Sequence, residues 1–182
     1  QGMRTRTRRT MLLLERLAPS MPEPVAQQVA VLAARGDDVL ARFDHLKSQR
    51  LTGMRTRTHG DYHLGQVLWT GRDYVILDFE GEPARPLGER RLKKSPLHDV
   101  AGMLRSYHYA AHVRIRDLRD RGGAGSDGEA DRLARAAAWW GSWAGGVFLA
   151  GYLEQAPAGI LPDTSEEISR LLDAYLLEKS LY

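Results

Sequence analysis

Two short loops that carry carboxylates, joined by a hairpin, constrain this chain more than anything else in it. His59-Gly60-Asp61-Tyr62-His63-Leu64-Gly65-Gln66 comes first and Asp78-Phe79-Glu80-Gly81-Glu82 second. Between them lie two β-rich runs, Val67-Leu68-Trp69-Thr70 and Tyr74-Val75-Ile76-Leu77, with Gly71-Arg72-Asp73 as turn residues. Pairing the runs returns the chain to its start and sets Asp78 beside the loop that holds Asp61 and Gln66. A phosphoryl-transfer site needs this arrangement: one carboxylate to orient a hydroxyl nucleophile, and a second with an amide to hold Mg²⁺.

The rest of the chain reads mainly as helix. Residues 10 to 17 contain Met11-Leu12-Leu13-Leu14 and stop ahead of Pro19, Pro22 and Pro24. From Val25, apolar residues recur at 25, 29, 32, 39, 43 and 46, broken at Gly36-Asp37, which fits one bent helix or two short ones. Met54-Arg55-Thr56-Arg57-Thr58 alternates and is expected as a short strand. Ser95-Pro96 marks a helix start, and Val100, Met103, Leu104, Tyr107 and Ala111 form its apolar face. Gly122 to Gly128 neither follows a strand nor carries the Lys-Ser/Thr of a P-loop, so it reads as a surface loop. Residues 131 to 154 predict an apolar helix whose Trp139, Trp140 and Trp143 belong to the core, or in one case to a sugar site.

Thr164-Ser165-Glu166-Glu167 has the pattern of a capping box, and the helix behind it repeats apolar residues at 168, 172 and 175. The same steps lead on to Lys179 and Tyr182. These are either a snorkelling lysine at a frayed end or two side chains that reach a substrate cleft. The count is about seven helices and three or four short strands, a mainly α, α+β chain without repeats or an internal domain boundary.

Composition narrows the class. The 182 residues are 43% apolar and 27% charged, which suits a globular chain with a sizeable core. There is no cysteine, which excludes disulfides and cysteine metal sites. No signal peptide or membrane-length apolar run is present, so a cytoplasmic location without a membrane partner is expected. The net charge is +3, with much of the excess in Arg4, Arg6, Arg8 and Arg9. No aromatic residues interleave with these arginines as stacking on bases requires, so no nucleic-acid partner is expected.

His59-Gly60-Asp61 with Gln66 five residues on, then Asp78-Phe79-Glu80, resembles the catalytic and metal-binding loops of the aminoglycoside phosphotransferase and choline kinase group, distant relatives of protein kinases. Asp61 to Val67, Asp78 to Pro83, Glu89-Arg90-Arg91, Asp99 to Ser106 and Leu176-Leu177-Glu178-Lys179 further resemble bacterial maltokinases. The similarity runs through nearly the whole chain and matches the C-terminal part of that family's kinase. It implies a C-terminal lobe of a protein-kinase-like fold over 1–182, with the N-terminal ATP-gripping lobe absent and the catalytic and metal loops within 59–82. It also implies ATP and Mg²⁺ as cofactors, maltose as the acceptor converted to maltose 1-phosphate in trehalose-to-glycogen metabolism, and a trehalose synthase domain or subunit as partner.

The resemblance also assigns roles. Asp61 is the catalytic residue facing the acceptor hydroxyl. Gln66, Asp78 and Glu80 face the metal. Glu82, Lys179 and Tyr182 join Asp61 at the substrate, and His59 and Asp99 support the loop. Most of the group has Asn where this chain has Gln66, whereas maltokinases share the glutamine.

Several roles stay open. Glu80 and Glu82 fit a second Mg²⁺, sugar hydroxyls, or pairing with Arg90 and Arg91. Asp99 fits the dipole of its helix start as well as a hold on the catalytic loop. His59, Asp61 and His63 alternate like metal ligands, but a zinc hydrolase needs a third well-placed ligand and an open position. Glucosamine or an aminoglycoside is the alternative acceptor and wants acidic groups around the cleft. Maltose wants hydrogen-bonding side chains and an aromatic platform. The remaining reading is a non-catalytic lobe docked on a trehalose synthase. On the kinase reading the fragment alone is expected to be inactive.

Overall fold

The computed structural model describes residues 2–47, 51–121 and 127–181; Gly122 to Ser126 of the glycine-rich stretch, and Tyr182, lie outside them. Among the described residues there are seven α-helices: α1 (Gly2–Leu17), α2 (Glu23–Ala34), α3 (Gly36–Lys47), α4 (Leu87–Arg90), α5 (Leu97–Asp120), α6 (Asp127–Gln155) and α7 (Ser165–Ser180). A single antiparallel pair, β1 (Val67–Trp69) and β2 (Tyr74–Ile76), completes the mainly α, α+β class read from the sequence. Contacts divide the chain into two compact units, Gln1–Thr52 with Thr164–Tyr182, and Gly53–Asp163. The sequence shows no such boundary, because the first unit is assembled from both ends of the chain.

In the first unit Met11, Val39, Phe43 and Ala174 form a core across α1, α3 and α7. Helix α1 starts at Gly2, eight residues earlier than the apolar run suggests. Its arginines explain the extension: Arg4 pairs with Asp44 of α3 at 2.5 Å, and Arg6 pairs with Glu178 of α7. These arginines thus belong to helix packing and not to a loose basic arm. The break at Gly36 resolves the second periodic stretch into two helices, α2 and α3. At α7 the Thr164 Oγ1 accepts the Glu167 N–H at 3.2 Å. Glu167 does not close the box. Its carboxylate instead accepts the Thr52 N–H at 3.0 Å and the Thr52 hydroxyl at 2.6 Å.

In the second unit the hairpin has the expected register, Val67 opposite Ile76 and Trp69 opposite Tyr74. Its turn is closed by Thr70 N–H to Asp73 C=O at 2.9 Å, with Gly71 at φ +91°. The strand expected at 54–58 shrinks to one bridge, in which Thr56 and Lys94 exchange both backbone bonds at 2.9 and 3.0 Å. Its neighbour Met54 donates elsewhere, to Ile160 C=O at 3.1 Å, so no ladder extends. The strand count is therefore two among the described residues, not three or four.

Helices α5 and α6 form the body of this unit. The tryptophans of α6 are not its core: Trp139, Trp140 and Trp143 are 67%, 42% and 58% exposed. The buried stripe is Ala137, Gly141 and Gly145, four residues apart. A Cβ on Gly141 would lie 3.3 Å from the His108 Cα of α5, and one on Gly145 would lie 3.1 Å from Leu104 Cδ2. Helices that approach this closely exclude indole rings, so the large side chains face away. Among the described residues no helix is long and apolar enough to cross a membrane.

Two glycines give a paired stability test. Gly53 has φ +85°, and a Cβ there would meet Pro162 N at 2.7 Å and Leu161 C at 2.8 Å. Gly71 has φ +91° with nothing within 4 Å. Gly71→Ala is expected to cost about 1–2 kcal/mol, the left-handed penalty alone. Gly53→Ala is expected to cost clearly more in denaturant unfolding, because backbone must also move. Equal losses for the two variants would contradict this packing.

Candidate active site

Just ahead of α5 stands Ser95, whose Oγ accepts the Leu97 N–H at 3.4 Å. That start fixes Asp99 in the first turn, pointing back at the first loop. The Asp99 carboxylate accepts the His59 N–H at 2.6 Å and the Gly60 N–H at 2.9 Å. His98 reinforces it, with Nδ1 at 3.4 Å from Asp99 Oδ1 and Nε2 at 3.1 Å from Lys94 Nζ. An ammonium only donates, so Nε2 accepts and Nδ1 carries the proton given to Asp99. Burial alone would raise the Asp99 pKa. The hydrogen bonds from His98, Gly60 and His59 outweigh it and hold the carboxyl below its usual range. Lys94 and His98, with His98 only 1% exposed, have no counterpart in the sequence reading. Their i, i+4 spacing beside Asp99 is the signal that was there to find.

His59 ties the first loop to the exit of the hairpin. Its Nε2 lies 2.6 Å from the Leu77 C=O, which only accepts, so Nε2 carries the proton. Nδ1 then accepts the Asp61 N–H at 3.4 Å. A second anchor is Ser106 of α5, whose Oγ accepts the Leu64 N–H at 3.1 Å and donates to Met103 C=O at 2.8 Å.

The two loops touch at glycines. Gly60 and Gly81 have φ of +88° and +79°, and a Cβ on Gly60 would lie 3.1 Å from Gly81 Cα. Asp78 is the one described non-glycine residue with positive φ, at +58°. Strain of this kind costs of order 1–3 kcal/mol and gathers at functional sites. It turns the Asp78 carboxylate to Gln66, whose Nε2 donates to Oδ2 at 3.1 Å. The Gln66 backbone is held on both sides, by N–H to His63 C=O and by C=O from Leu77 N–H, each at 2.9 Å.

Asp78 and Gln66 thus lie side by side with the Gln66 amide N–H turned to the carboxylate, and turning that amide over would set its oxygen beside the carboxylate. Mg²⁺ takes hard oxygen ligands and keeps several waters, so this donor set fits it. The alternating His59, Asp61 and His63 do not gather into one ligand set. His63 Nδ1 accepts the Gly65 N–H at 3.0 Å, and His63 Nε2 sits 3.8 Å from Asp61 Oδ2. Among the described residues no three His, Asp or Glu side chains cluster so as to hold a metal.

Of the remaining residues, Glu82 Oε1 accepts the Ala84 N–H at 3.4 Å. The pairing considered for Glu80 reduces to its backbone: Arg90 Nη1 donates to the Glu80 C=O at 3.3 Å. Of the expected substrate residues, Asp61 and Glu82 lie in Gly53–Asp163, whereas Lys179 belongs to the other unit and Tyr182 lies outside the described residues. The buried ionisable group at the end of α7 is Glu178, 6% exposed, one position before Lys179.

Residues 2–134 match the model of the APH phosphotransferase enzyme family. Over 102 residues the chain is 31% identical to a glucosamine kinase of Streptacidiphilus jiangxiensis, covering 56% of this chain and 22% of that protein. Over 107 residues it is 41% identical to a glucosamine kinase of Mycolicibacterium smegmatis, covering 58% of this chain and 26% of that one. The chain thus matches about a quarter of each relative's length. A solved glucosamine kinase, crystal form B, superposes with a TM-score of 0.61 at 23% identity, covering 98% of this chain and 39% of that chain. A second, in complex with glucosamine, ADP and inorganic phosphate, gives 0.60 at 24%, covering 96% and 40%. The fold is that of these kinases.

The lowered Asp99 pKa has a consequence for acid stability. Its stabilising charge is present above the unfolded carboxylate value near ~3.9 and is lost as pH falls through the lower folded value. Asp99→Asn is therefore expected to unfold at lower denaturant than the parent at pH 7. The gap should close as pH drops below about 4. A gap that stays constant into acid would contradict the hydrogen-bonded carboxylate.

Proposed function

The chain belongs to the phosphotransferase enzyme family, and from that membership we propose that it carries the catalytic half of an ATP-dependent kinase whose acceptor is an amino sugar of the glucosamine class. The observation that carries this reading is the joint placement of Asp61 and the Asp78–Gln66 pair on touching loops, braced by Asp99 and His59. Asp61 accepts the hydrogen bond of the acceptor hydroxyl and aims that oxygen at the γ-phosphorus. A loose transition state asks for position more than for a strong base. Asp78 and Gln66 would hold Mg²⁺, which would supply positive charge against the charge that develops on the phosphate oxygens. His59 and the charged Asp99 keep the Asp61 backbone from drifting.

The acceptor follows the relatives. Two curated relatives that the chain matches are glucosamine kinases, and they favour the amino-sugar alternative over maltose. Glu80 and Glu82, next to the metal pair, are the acidic complement that an ammonium-bearing sugar calls for. The maltose and trehalose synthase readings rest on motif resemblance, and these relatives lend them no support.

Phosphoryl transfer from Mg-ATP to glucosamine, maltose and an aminoglycoside, measured side by side on the full-length kinase that contains this lobe, tests the reading. Glucosamine is expected to be the best acceptor. A preference for maltose would overturn the acceptor and leave the kinase standing, and transfer to none of the three would overturn the kinase. Asp61→Asn should lower turnover by about two to four orders of magnitude, with nucleotide affinity little changed. Asp78→Ala should weaken Mg-ATP binding more than Gln66→Ala, since a charged ligand is lost in one and a neutral amide in the other.

A further inference from the structure

A second concave site lies in the same unit and shares His59, Glu80 and Gly81 with the loops above. Arg57, Arg90, Arg91 and Lys93 line a cleft of about 760 Å³, and Glu80 is the one carboxylate among its lining residues. Asp61 and Asp78 do not line it. Three separate segments deliver these cations: the approach to the first loop, the single turn of α4, and the stretch before α5. Among the described residues Arg57, Arg91 and Lys93 form no ion pair or side-chain hydrogen bond. Arg90 packs over Gly81 and gives Nη1 to the Glu80 C=O, while its buried Nε makes no hydrogen bond within the protein. Four like charges around one hollow repel each other, and Glu80 is the single carboxylate among the lining residues set against them. Phe79 and Leu87 add an apolar wall.

We propose that this cleft binds the phosphate group of a small phosphomonoester, with the arginines gripping its oxygens. A guanidinium presents paired N–H groups that match two phosphate oxygens, and a phosphomonoester carries about −1.5 to −2 charges at pH 7. The volume lies in the range of small-molecule pockets and exceeds the needs of a bare anion. The apolar wall faces the carbon skeleton, and the cations face the phosphate.

Isothermal titration of the protein with glucose 6-phosphate, inorganic phosphate and glucose, without Mg²⁺ or nucleotide, tests this. Glucose 6-phosphate is expected to bind and glucose not to bind. Arg91→Ala with Lys93→Ala is expected to weaken binding by at least roughly tenfold, the effect of losing one charge-assisted hydrogen bond. Both residues are exposed, so the fold should survive. Should that double variant misfold, Arg57→Ala, on another segment, replaces it. Asp61→Asn should leave binding unchanged. Tighter binding of the sugar phosphate assigns the cleft to a phosphomonoester, and equal binding assigns it to free phosphate. Absence of phosphate binding, or binding indifferent to the arginine and lysine replacements, overturns the proposal.

Discussion

The Asp99 carboxylate accepts two consecutive backbone N–H groups, those of His59 and Gly60, and the geometry of the site hangs from that contact. A loop that turns through a left-handed glycine at φ +88° has no ladder to satisfy its donors. Leaving such a donor buried and unpaired costs about 1–3 kcal/mol. The need is mutual, since a largely buried carboxylate stays charged only when donors surround it. His98 supplies the third donor and is itself oriented by Lys94. The backbone of Lys94 is in turn paired with Thr56, just upstream of the loop. The start of α5 and the segment before His59 thus hold the same loop from two sides.

The Asp78 side of the site is built on the same logic with different parts. His59 spans to Leu77 and binds the first loop to the end of the hairpin. The next residue, Asp78, takes a left-handed conformation that a hairpin alone would not impose. The two glycines let the loops close to a distance at which any Cβ on Gly60 would press on backbone. Positioning in this site therefore comes from backbone anchors, which suits a reaction limited by alignment.

The hairpin, the two loops and most helices were legible because each rests on local physics: β-branched runs around Gly-Arg-Asp, apolar residues at helical spacing, and Ser-Pro at a helix start. What escaped depended on distant partners. The arginines near the N-terminus extend α1 only because Asp44 and Glu178 receive them. The tryptophans of α6 read as core by size, but the close approach of α5 selects Ala137, Gly141 and Gly145 instead. The 54–58 strand lacked a partner longer than one residue. Lys94 and His98 stand four residues apart beside Asp99, but that spacing acquires a meaning only once the loop of His59 and Gly60 is known to fold back onto the Asp99 carboxylate. Asp61, Gln66 and Asp78 could be chosen from their spacing, whereas the strain at Asp78 could not.

The central claim is that Asp99 serves catalysis by holding the loop that carries Asp61. A double-mutant cycle on phosphoryl transfer tests it most directly, with Asp99→Asn, Asp61→Asn and the pair measured in one assay. If Asp99 acts through Asp61, its replacement slows the parent strongly but slows the Asp61→Asn enzyme little further. Losses that simply add would contradict the claim and give Asp99 a role of its own.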